Sequence, residues 1–177
     1  MALSGTNAFN LDVDEVIQEA FERCGLHARS GYDLKSARRS LNLLLAEWAN
    51  RGINLWTVEL RTQTLTASTT SYTLDSDLID ILEAVVYKAS DTTVDMEVDR
   101  MSRAEYLNIS KKSTEGTPTQ YYLLRGQSTP TLYIYPTPDA ADTFKYWGLT
   151  KIQDAGDYED ELDVPTRFLP CLTAGMA

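Results

Sequence analysis

Histidine occurs once in the chain, at position 27, and cysteine twice, at 24 and 171. A single imidazole gives little support to Ser-His-Asp or Cys-His chemistry, where histidine must carry the proton of the nucleophile. The two cysteines are far apart and lack metal-ligand spacing, so they read as reduced core thiols. That usage fits synthesis in a reducing, cytoplasmic compartment. No apolar run approaches the ~20 residues that span a bilayer. The opening MALSGTNAFNLDVDE has neither the basic start nor the apolar stretch of a signal peptide. A phosphate-cradling Gly-rich loop, a zinc spacing and a dinucleotide fingerprint are all missing. No catalytic, cofactor-binding or metal-binding residue is therefore assigned.

Positive charge is scarce too, with 16 Lys and Arg against 26 Asp and Glu, a net charge of −10. The deficit is uneven: residues 1–53 hold six bases and seven acids, whereas residues 54–177 hold ten bases and nineteen acids. Such a chain does not grip nucleic acid by neutralising phosphates, which takes clustered Lys and Arg. It can instead repel a phosphate backbone passing close by. Residues 154–163 hold six acids and no base. They lack the DxDxDG spacing of a calcium loop, and a solvated loop is expected.

What the chain does have is periodicity. Apolar residues make up 43% of the sequence, enough for a core, and 177 residues suit a single domain, 1–177. The clearest stretch runs from Asp33 to Glu59. Leu34, Ala37, Leu41, Leu44, Leu45 and Trp48 form one stripe at helical period, which places Trp48 in the core. Asp33 is the expected cap and Gly52 the expected stop. Val13, Val16, Ile17, Ala20, Phe21 and Cys24 form a second stripe, with Asp12 and Glu15 at capping-box spacing and Gly25 at the end. Residues 11–53 are thus expected to be a helical hairpin with apolar surface to spare, to be covered by the β-rich body or another subunit.

Residues 54–162 read as that β-rich body. Seven threonines between 57 and 73 favour strands, and 55–74 reads as a hairpin with its turn near 67–71. LIDILEAVVYK (78–88) fits both a helical stripe and a strand. Its β-branched content and the alternation of 93–99 favour a turn at 77–80 followed by a second hairpin. Ser102 and Glu105 again show capping-box spacing, so a short helix is expected near 102–109. Strands are expected at 120–125, 131–135 and 143–151, rich in Tyr, Phe and Trp. Asp163 and Pro165 open a last helix over 163–177 that stops without a capping signal, as if cut. The fold class is α+β: an N-terminal helical hairpin packed with an antiparallel β-rich body and a C-terminal helix.

Chemistry offers two weak candidates. Glu15, Glu19 and Glu22 lie on one side of the first helix and Glu47 on the second. A glycoside hydrolase needs only two carboxylates, although a solvated helix face explains them more simply. The aromatic strands suggest single-stranded nucleic acid, but few Lys and Arg are interleaved, which favours core packing. Arg38 and Arg39 sit together on the second helix, as solvated charge, as partners of first-helix glutamates, or as an intersubunit ion pair.

The stretch ARRSLNLLLAEWANRGINLWTVE (37–59) resembles the head-to-tail adaptors of short-tailed phages, also called connector, head-completion or tail accessory proteins. DLIDILEAVVY, SRAEYLNI, GTPTQYY, TLYIYPTPD, YWGLTKIQDAG and DVPTRFLPCLTAGMA follow in the same order as in that family. The similarity runs from about residue 11 to the end. The resemblance implies a non-enzymatic virion component of the neck, at the portal vertex, made in the host cytoplasm. It implies a ring, dodecameric in the family, that joins the portal protein to the tail nozzle or tail tube and extends the DNA channel. DNA would pass without specific binding, and no membrane is involved. Arg38, Arg39 and Arg167 are the candidate contacts with a neighbouring subunit or the portal. The alternative is a virion-associated peptidoglycan hydrolase using a carboxylate pair.

Overall fold

A computed structural model of the chain describes residues 9–26 and 31–177. His27 lies outside the described residues. The chain divides into two compact units, residues 1–56 with 152–177, and residues 57–151. The fold is α+β, as the sequence predicts.

The first unit is built on α1 (Val13–Arg23) and α2 (Gly31–Asn50). Asp12 and Glu15 form the expected capping box: Glu15 N donates to Asp12 Oδ1 at 2.8 Å and Asp12 N to Glu15 Oε2 at 3.2 Å. Two further amides at the start of α1 are taken up from elsewhere. Val13 N donates to Asp160 O and Asp14 N to Tyr158 O, so the acidic segment 154–163 closes a helix end that would otherwise leave donors unpaired. This corrects its reading as a purely solvated loop, since Ala155 and Leu162 are buried. Both helices end in the left-handed turn that glycine tolerates, with φ of +69° at Gly25 and +74° at Gly52. Helix α2 begins at Gly31, so Asp33 is not its cap. It lies in the first turn, where its carboxylate still meets the positive end of the helix dipole.

The apolar surplus of the two helices is met by the end of the chain. A 3-10 turn (Thr166–Phe168) leads into α4 (Leu169–Met176). Val13, Val16 and Ile17 of α1, Leu41 and Leu45 of α2, and Leu169 and Leu172 of α4 share one core with Ile152, Ala155, Leu162 and Val164. Asp163 is not the cap of the last helix. Its carbonyl accepts from Trp56 Nε1 at 2.9 Å and its Oδ2 from Gln153 N at 3.2 Å. Trp48 and Trp56 are only half-buried, tilted against Phe168 at 6.1 and 4.9 Å. The core ends one turn before Trp48, at Leu45. Cys24 and Cys171 are exposed rather than core thiols. Cys24 lies past the last buried turn of α1, and Cys171 faces out from α4 between buried Leu169 and Leu172.

The second unit contains two four-stranded sheets. The strands are β1 (Val58–Thr64), β2 (Ser71–Thr73), β3 (Leu78–Lys88), β4 (Asp91–Glu97), β5 (Asp99–Arg100), β6 (Gln120–Leu124), β7 (Thr131–Tyr135) and β8 (Thr143–Thr150), with α3 (Arg103–Asn108) between β5 and β6. One sheet has the order β1-β8-β3-β4, the other β2-β7-β6-β5. Their inner faces meet in a single core, which includes Ile81, Ala84 and Val86 of β3, Phe144 and Tyr146 of β8, Tyr121 and Leu123 of β6, and Leu132 and Ile134 of β7. Pairing is antiparallel except for β5 with β6, which the α3 crossover makes parallel. The capping box at Ser102 and Glu105 is present at α3.

The expected hairpin over 55–74 does not form. β1 pairs along its whole length with β8, while β2 pairs with β7 in the other sheet. After β1 the backbone follows a distant connection instead of folding back, with Leu65 N donating to Asp142 O and Ser68 N to Pro138 O. The Tyr72 hydroxyl pins this corner, accepting from Thr66 N at 2.9 Å. Residues 78–88 are one continuous strand, so the turn expected at 77–80 lies earlier, where Leu78 N donates to Asp75 O.

Two consequences can be measured. A Cβ added at Gly148 would lie 2.6 Å from Leu78 Cδ1 and 3.2 Å from Tyr146 Cε2. Gly148→Ala is expected to destabilise the sandwich by about 1–3 kcal/mol through overpacking, read from the urea midpoint. The second concerns Arg61, which grips Asp77 with both ends, Nη1–Oδ1 at 2.8 Å and Nη2–Oδ2 at 2.6 Å, with Glu59 and Asp75 alongside. The Arg61 hydrogen bond holds the Asp77 carboxyl below the usual range. A lowered native pKa adds stability that is whole above the unfolded carboxyl value, about 4, and is lost as pH falls through the native one. Arg61→Gln should therefore cost at most about 1 kcal/mol at pH 7, because Asp77 is half-exposed, and the difference from the parent should shrink in acid.

Candidate interaction surfaces

Helix α2 has two faces. One carries Leu34, Ala37, Leu41, Leu45 and Trp48 towards the core of its unit. On the opposite face Tyr32, Lys35, Arg39 and Leu43 recur at helical spacing and all are exposed, Tyr32 by 76% and Leu43 by 66%. Lys35 and Arg39 form no ion pair among the described residues.

The three arginines singled out from the sequence have different surroundings. Arg38 is turned inward: its Nε donates to Ala155 O at 3.2 Å, its Nη1 lies 3.7 Å from Asp157 Oδ1, and its guanidinium sits 5.8 Å from the Tyr158 ring. Asn42 completes the clamp, accepting from Ala155 N at 2.7 Å. Arg39 is exposed and donates to Ser36 Oγ at 3.3 Å. Arg167 is exposed over the Phe168 ring at 5.3 Å. Neither Arg38 nor Arg39 pairs with a glutamate of α1. The acidic segment reaches Arg38 first.

Between α1 and α4 runs a groove of about 590 Å³. Leu11, Leu169 and Pro170 contribute its apolar lining, and Glu15, Glu19 and Glu22 its acidic rim. Glu19 pairs with Arg23 at 2.8 Å, and Glu15 closes the capping box. Glu47 of α2 pairs with Arg51. Three of the four carboxylates considered for hydrolysis are thus committed to their own helices.

In the β unit, Tyr121, Phe144 and Tyr146 are buried. Tyr106, Tyr122 and Tyr133 pack on one another at 5.1–5.9 Å, and burial pushes the Tyr106 hydroxyl up. Most of the aromatic content therefore serves packing, and these rings do not form an open stacking platform. The exception is Trp147, 43% exposed on the outer face of the β1-β8-β3-β4 sheet beside its cross-strand neighbour Leu60, itself 48% exposed.

The exposed stripe of α2 was missed in the sequence although its signal is there, the mirror of the Leu34–Trp48 stripe. The groove has no such signal, because α1 and α4 lie at opposite ends of the chain. The acidic excess is also redistributed. Residues 152–177 hold six acids and one base and belong to the helical unit, leaving thirteen acids and nine bases in residues 57–151.

The family model described as SU10 adaptor protein matches residues 11–177. No curated protein matches the chain.

Proposed function

Because this chain belongs to the SU10 adaptor protein family of phage head–tail adaptors, we propose that it is a structural virion protein whose copies form a ring between portal and tail and extend the DNA channel. The observation that carries this reading is the extent of the match, which includes both compact units. The surface chemistry supports it. A conduit must let a duplex slide, and a chain of net charge −10 offers phosphates little counter-charge to hold them. A ring needs two different patches on each copy. Arg39 and Arg167, exposed on the helical unit, are the contacts assigned to a neighbouring copy or the portal, with Arg38 bracing the acidic segment behind them.

The test is the mass of the purified chain, alone and after mixing with the portal ring of the phage that encodes it. A defined multi-copy complex with the portal is the expected result. A chain that stays monomeric and ignores the portal overturns the reading.

A further inference from the structure

Two surfaces of the helical unit complement each other in charge, apolar content and length. The exposed stripe of α2 presents two cations, Lys35 and Arg39, between two large apolar side chains, Tyr32 and Leu43. The α1/α4 groove presents the reverse, an apolar lining with Glu15, Glu19 and Glu22 along one wall against a single cation, Arg23, whose pair with Glu19 is solvent-exposed and therefore weak, so the wall stays net negative. The stripe from Tyr32 to Leu43 rises about 16 Å at 1.5 Å per residue, and α1, with 11 residues, is about as long. The two cations are one turn apart, as are Glu15 and Glu19, and Glu19 and Glu22, so both cations can face carboxylates at once. The α2 stripe points away from the core that α1 and α4 share with it. A second copy of this chain is therefore the occupant that fits.

We propose that the α2 stripe of one copy seats in the α1/α4 groove of the next, so that α2 lies on α1 and α4 as a third helix with Lys35 and Arg39 against Glu19 and Glu22. This rests on the ring reading above and specifies its subunit contact. The two patches differ, so the contact is head-to-tail. Each copy keeps a free stripe at one end and a free groove at the other, and the contact propagates until rotation closes it.

The experiment uses the full chain with Cys24→Ser and Cys171→Ser as background, alone and with the portal ring. Gln18→Cys in the groove wall and Leu43→Cys on the stripe are placed in the same copy, and disulfides are formed in air. A ladder of cross-linked multimers is expected, whereas mixing copies that carry only one of the two cysteines should stop at dimers. Lys35→Glu with Arg39→Glu, and separately Glu19→Lys with Glu22→Lys, should each lower the assembled fraction about tenfold or more, by placing like charges together. Combining all four changes should restore assembly, an outcome that lost folding cannot produce. Multi-copy assembly on the portal without cross-links, or without rescue, overturns this contact and leaves the ring reading intact. Absence of any assembly overturns both.

Discussion

Phe144→Ala is expected to destabilise the β unit by about 3–5 kcal/mol, the usual cost of removing a fully buried phenyl ring and leaving a cavity. Phe144 has no exposed surface and lies on β8, the strand between β1 and β3. Its ring meets Tyr121 of the opposite sheet edge-on at 5.6 Å and 70°, and its same-strand neighbour Tyr146 at 5.5 Å. It therefore bonds the two sheets and one strand's own inner face at the same point. Such aromatic pairs add about 0.5–1.5 kcal/mol beyond area burial. A loss of this size is a large share of the 5–15 kcal/mol or so by which domains are stable. Trp147, the next residue, is the internal control. Strand alternation turns it to the outer face, where it is 43% exposed. Trp147→Ala is expected to cost about 1 kcal/mol or less. Urea unfolding followed by far-ultraviolet circular dichroism separates the two. Equal shifts would mean that the inner and outer faces of β8 are wrongly assigned.

The strand that holds Phe144 and Trp147 was legible in the sequence, though not which of its aromatics faces in, and so was most local structure. The capping boxes at Asp12 and Ser102 were read from four residues each and are present atom for atom. Local signals settle local structure because both partners of each hydrogen bond lie within one turn. The hairpin over 55–74 failed for the converse reason. The partner of β1 is β8, some eighty residues away, and nothing in the threonine-rich segment encodes that choice. Residues 78–88 carried both periods because a strand with bulges near Leu78 and Ile81 breaks strict alternation. Leu82 and Glu83 are both exposed between buried Ile81 and Ala84. The acidic segment looked solvated by composition. Its role comes from backbone carbonyls, Tyr158 O and Asp160 O, which composition does not report. Arg38 and Arg39 were adjacent in sequence and alike in chemistry. A hundred degrees of helix rotation puts one against Ala155 and the other in solvent.

Leu172→Ala is expected to cost about 2–5 kcal/mol, and to cost it in one unit only. Leu172 is fully buried on α4, in the core that holds Val16 and Ile17 of α1 and Leu41 and Leu45 of α2. No residue of that core belongs to the core of the sandwich. Without the leucine, the helices lose the side chain of α4 that fills the space beside the α1 and α2 stripes. The inner face of the sandwich loses no contact. Amide exchange should therefore quicken across α1, α2 and α4 while amides of β3, β6, β7 and β8 keep their protection, since opening follows local packing. Uniform quickening in both units would mean that they open together. The distinction bears on assembly. The α2 stripe and the α1/α4 groove belong to the same helical core, so Leu172→Ala should also weaken the contact between copies, even though neither surface contains the substituted atoms. An exposed change such as Lys35→Glu should weaken it with exchange unaltered. The pair of variants thus separates loss of the platform from loss of the charges it carries.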